Sequence, residues 1–145
     1  MPGAELQEIG YEECLALLRT RSVGRIAVVD DGPIVVPVSY RLVETSGPTW
    51  IALRTRPGNV LDRVHAKVAF EIDDVDVSHG EGWSVLVQGT LLGVDADAAE
   101  FRERFDPQPW LADRDRWLVI EPFAVTGRRL RAADAQWELE RRGYL

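Results

Sequence analysis

The spacing of the turn signals constrains this chain more than any other feature. Val23 to Val29 reads as a strand, Asp30-Asp31-Gly32 as a hairpin turn, and Ile34 to Val43 as the return strand. Thr49 to Thr55, Val68 to Asp73, Trp83 to Val94 and Trp117 to Leu130 add four more strand-like segments. The connections before Asp73 are too short for the crossovers that parallel strands need, so these strands pair antiparallel. A mainly β (α+β) chain follows, a small antiparallel barrel of about six strands with helices at its edges.

Helical periodicity is confined to short pieces. Tyr11, Cys14, Leu15 and Leu18 fall on one face of a helix that spans 11–19. Val60, Leu61 and Val64 suit a short helix after Pro57-Gly58. Residues 97–105 suit another, with Asp95 or Asp97 as its N-cap. A terminal helix is expected over 135–142. Pro37 has no N–H for a ladder, which makes its strand an edge or interrupts it, and Pro122 is expected to bend the last strand.

Composition narrows the function classes. The 145 residues suit one domain, 1–145, which buries roughly 70% of its extended surface. A net charge of −7 works against general binding to nucleic acid. One cysteine, Cys14, excludes an internal disulfide and multi-cysteine metal sites, and two histidines leave little for a histidine-rich centre. No apolar run approaches a membrane span of about 20 residues. The start has no basic region followed by an apolar stretch, so the expected address is cytoplasmic.

The segment Leu53-Arg54-Thr55-Arg56-Pro57-Gly58-Asn59 carries the clearest chemistry. It places guanidiniums and neutral donors where a strand ends and a helix is expected to begin, an arrangement suited to a phosphate. A solvated strand-to-helix corner has the same composition. No P-loop or GxGxxG signature is present.

Five pieces then follow one another: Val35-Val-Pro-Val-Ser-Tyr40, Leu53-Arg-Thr-x-Pro-Gly58, Val68-Ala-Phe-Glu-Ile-Asp73, Gly82-Trp-Ser-Val-Leu-Val-x-Gly89 and Pro122-x-x-Val-Thr-Gly-Arg-Arg129. In this order the series resembles the pyridoxamine 5′-phosphate oxidase-like flavoproteins, over about residues 8–131. The resemblance implies an FMN-binding split β-barrel. It implies a flavin phosphate at Arg54, Thr55, Asn59, Val60 and Leu61. It further implies an isoalloxazine ring along Val36, Pro37, Val38 and Ser39 and against Trp83, Ser84 and Val85. A homodimer with a shared site is implied too, with Thr126 to Arg128 reaching across, Arg128 foremost.

Two departures accompany the likeness. Val60 stands where family members usually carry Lys or Arg. The Arg-rich C-terminal segment and the Ser/Arg/Pro loop that hold pyridoxal in the true oxidases are absent. The implied activity is therefore an FMN-dependent oxidoreductase of unstated substrate. The alternatives are a reductase using the deazaflavin coenzyme F-420 and a non-catalytic flavin-storage protein. Sixteen Arg against one Lys, typical of high-GC genomes, is compatible with the deazaflavin.

Other motifs carry less. Gly82-Trp83-Ser84-Val85-Leu86 lacks the second glycine of a nucleophile elbow. Asp74-x-Asp76-x-Ser78 fails as a calcium loop, because His79 and Val85 stand where Gly and Glu are required. His65 is expected to close the short helix, Cys14 to pack, and Arg128-Arg129-x-Arg131 to be either ion-paired or an anion site. Trp83 and Trp110 are the tryptophans best suited to a site.

Overall fold

The computed structural model describes residues 3–95 and 97–132. Its elements are β1 (Glu5–Ile9), α1 (Tyr11–Arg19), β2 (Val23–Val29), β3 (Pro33–Val43) and β4 (Trp50–Thr55). They continue with β5 (Lys67–Asp76), β6 (Glu81–Gly93), α2 (Ala99–Arg104) and β7 (Arg116–Arg131). The sheet runs β1-β7-β4-β3-β2-β5-β6, and β6 pairs again with β7. All these pairings are antiparallel, so six strands close into a barrel and β1 extends it.

The alternation that marks the strands also sorts the two faces. Ile26, Val28, Val38, Tyr40, Ile51, Leu53, Phe70, Ile72, Val85, Val87, Leu118 and Ile120 fill the interior, and Cys14, Leu15 and Leu18 of α1 join the same cluster. Each fully buried side chain of this kind contributes roughly 1.5–3 kcal/mol. A second cluster lies on the outer face, where Phe105 beside α2 packs on Val43, Ala52 and Val119.

Pro37 sits in an unbroken strand. β3 pairs with β2 from Pro33 to Ser39 but with β4 only from Tyr40 to Val43. The half containing Pro37 is therefore an edge and is not interrupted. At Pro122 the expected bend takes the form of a bulge: Gln88 pairs with Ala124 and Gly89 with Pro122, which leaves Phe123 out of the ladder. Gly89 suits that point, since a Cβ there would lie 2.5 Å from the Glu121 carbonyl oxygen.

Three expectations about helices need correction. Residues 57–62 form successive turns, because Asn59 Oδ1 accepts from the Leu61 amide (2.8 Å) and Asp62 accepts from the Gly58 amide (3.0 Å). These side-chain acceptors offer the backbone an alternative to helical bonding. His65 thus closes no helix. It sits at φ 74° and donates its backbone N–H to the Leu91 carbonyl at 2.7 Å. The N-cap of α2 is Ala98, without a side-chain cap. The expected helix over 135–142 lies outside the described residues. No described helix is long and apolar enough to cross a membrane.

Candidate functional site

The open edge of β3 forms one wall of a cleft of about 650 Å³. Ligand pockets typically span about 300–1,000 Å³. Val36, Pro37, Val38 and Ser39 line that wall, with Val23 of β2 beside Ser39. Along such an edge, backbone N–H and C=O groups that would serve a further strand remain available to a ligand. Opposite lie Pro109, Trp110, Leu111 and Arg114, from the loop between α2 and β7. Trp110 is 90% exposed, an indole displayed at the mouth.

The far end is polar and is built where β4 stops. Thr55 ends β4 on the same face as Ile51 and Leu53 and is the one buried polar or charged residue among the described residues. Asn59, Val60 and Leu61 follow on the turn. Asp62 anchors that turn to β7, taking the Gly58 amide on one oxygen and Arg116 Nε on the other at 2.9 Å. These two donors hold the Asp62 carboxyl below the ordinary carboxylate range.

Arg54 also reaches the cleft, but its guanidinium is engaged. Nη1 donates to Asp106 (3.0 Å), Nε donates to the Arg114 carbonyl (2.9 Å), and the group lies 5.0 Å from the centre of the Trp117 ring. Arg54 thus fastens both ends of residues 106–114. Its partners lie 52 and 60 positions away, so no local pattern could have revealed this use. Arg63 pairs with Asp30, and Arg56 is exposed off the cleft lining.

Ten residues expected at a site surround this cleft: Val36, Pro37, Val38, Ser39, Arg54, Thr55, Asn59, Val60, Leu61 and Trp110. Four do not. Trp83 lines a separate hollow with Asp74, Asp76, Glu81 and Arg129, and Arg21 sits 5.3 Å from its ring centre. Ser84 is opposite Arg128 on the β6–β7 ladder. Val85 is fully buried in the interior, with both neighbouring strands paired to it, and does not line the cleft. Arg129 is ion-paired to Glu13 at 2.6 Å.

Sequence reasoning missed Val23, Pro109, Leu111 and Arg114. The loop of the last three has no periodicity; Trp110 was its only signal.

Residues 11–129 match the family described as pyridoxamine 5′-phosphate oxidase. The chain belongs to that family. Three similar proteins accompany this match. An uncharacterized protein of Mycobacterium tuberculosis is 30% identical over 134 residues, covering 87% of this chain and 86% of the relative. A solved FAD binding protein from Mycobacterium smegmatis is 28% identical with a TM-score of 0.64, covering 88% of this chain and 100% of that one. A conserved protein of unknown function from Corynebacterium diphtheriae is 26% identical with a TM-score of 0.72, covering 85% and 96%.

Proposed function

We propose that the cleft binds a flavin nucleotide and that the protein is a flavin-dependent oxidoreductase working as a homodimer. The observation that carries this reading is the pairing of an open β3 edge with a polar corner at Thr55 and Asn59 inside one cleft. A flavin ring has a polar pyrimidine edge and two broad apolar faces. The β3 backbone suits that edge, and Val36, Pro37, Val38 and Trp110 suit the faces. The polar corner suits a phosphate. Family membership and the solved FAD binding protein support a flavin in general. FMN is our first choice, with FAD and the deazaflavin F-420 as the compounds to compare.

Bound there, a flavin supplies hydride or electron transfer through its ring. Among the described residues the cleft lining holds no histidine, carboxylate or cysteine. The chain's own part is to orient the ring along β3, hold the anionic end at Thr55, and limit water with the 106–114 loop.

The homodimer accounts for the residues that miss the cleft. Trp83 and Ser84 are consecutive on β6, on alternate faces, and Arg128 pairs with Ser84 across the β6–β7 ladder. A second copy of the chain would bring them to the same ligand. Absorbance-monitored titration with FMN, FAD and F-420 is expected to show one bound flavin per chain. Reduction of the bound flavin by NADH or NADPH distinguishes an oxidoreductase from a storage protein. Binding of none of the three would overturn the reading.

A further inference from the structure

Charge accounting around the polar corner leaves one candidate for an anion. Arg54 has Asp106, Arg63 has Asp30 and Arg116 has Asp62. Arg56 does not line the cleft. Arg114 does, is half-buried, and donates Nη1 to the Ala112 carbonyl at 3.2 Å. No carboxylate pairs with it among the described residues. The main chain at Arg114 is anchored, because its carbonyl accepts from Arg54 Nε, and Arg54 is clamped in turn on Asp106 and Trp117. Asp113, just before it, adopts a left-handed φ of 62°, which turns the chain into the cleft wall.

We propose that Arg114 captures the phosphate of the bound flavin nucleotide. The inference rests on the flavin reading and adds a cation from the loop to the neutral donors of Thr55 and Asn59. A guanidinium at the cleft wall grips a phosphate through two parallel N–H donors. Val60, apolar and half-buried in the same lining, offers no competing charge. Arg54 is then a positioning residue, acting through the loop that carries Arg114.

Comparison of FMN with riboflavin, which lacks the phosphate, isolates the contact. The intact protein is expected to bind FMN at least tenfold more tightly than riboflavin. Arg114→Gln is expected to weaken FMN binding by about tenfold to a hundredfold, the range for a charge-assisted hydrogen bond, and to leave riboflavin unchanged. Arg114→Lys, which keeps the charge, is expected to retain most of the discrimination. Adding Val60→Lys to Arg114→Gln is expected to restore part of it. An unchanged FMN-to-riboflavin ratio in Arg114→Gln, or an equal loss for both compounds, would overturn the proposal. Failure of the intact protein to bind either compound would overturn the flavin reading itself.

Discussion

Asp62 ties the 57–62 turn to β7 with two charge-assisted hydrogen bonds, from the Gly58 amide and from Arg116. An unpaired carboxylate titrates near about 3.9, and Asp62 titrates lower in the folded chain. A depressed folded value means that the anchor contributes stability above the unfolded value and loses it as pH falls through the folded one. An NMR titration of the Gly58 amide is expected to show an acid transition with its midpoint below the ordinary aspartate value. In Asp62→Asn that transition should vanish. Asp62→Ala is expected to cost about 1–3 kcal/mol in denaturant unfolding, since both donors lose their acceptor. Gly24 answers to packing instead of charge. A Cβ there would lie 2.3 Å from Phe70 Cζ and 3.0 Å from the Glu71 carbonyl oxygen. Phe70 is itself held edge-on against Tyr40 at 4.8 Å and cannot retreat. Gly24→Ala is therefore expected to lose about 1–3 kcal/mol, the usual cost of overpacking, read from the shift in denaturant midpoint at constant slope.

Among the elements, the loop over the cleft depends on a neighbour in β4. Arg54 holds Asp106 at one end of residues 106–114 and the Arg114 carbonyl at the other. Arg54→Ala is expected to free the loop while sparing the barrel. Hydrogen exchange should then quicken at residues 106–114 and remain slow in β4 and β7. Uniformly faster exchange would instead make Arg54 a general stabiliser of the sheet. What was legible in the sequence follows the same division. β2 to β7 announced themselves because residues two apart share a face, and α1 through Cys14, Leu15 and Leu18. β1 was missed: Glu-Leu-Gln-Glu-Ile has only two apolar residues, and its pairing partner on β7 is more than a hundred positions away. The 57–62 turns were misread because Val60, Leu61 and Val64 mimic a helical face, while Asn59 and Asp62 redirect the backbone. The β3 wall and the polar corner were legible through their motif order. The opposite wall was not, because a loop placed by hydrogen bonds 52 and 60 positions long leaves no local pattern.

For the whole molecule, the shared-site proposal demands that two copies associate. Sedimentation velocity at micromolar concentration is expected to return a dimer, with a symmetric interface of at least about 1,600 Å². Leu6, Leu86, Phe123 and Leu130 are apolar residues exposed on β1, β6 and β7 and so available to such an interface. A monomer that binds flavin fully would separate the cleft from Trp83, Ser84 and Arg128. It would leave the cofactor reading standing and remove the shared site.

β7 joins β4, β6 and β1, and no other strand closes the barrel. During synthesis, β2 and β3 can form their hairpin early, since only a tight turn separates them. β4 and β6 have no partner on their closing sides until residues 116–131 leave the ribosome, and β1 waits longest of all. Such long-range pairing slows folding and leaves unpaired strand edges exposed on the way. A nascent chain stalled before Arg116 is therefore an open sheet, a substrate for chaperones and proteases. The barrel is completed only as translation reaches its final strand.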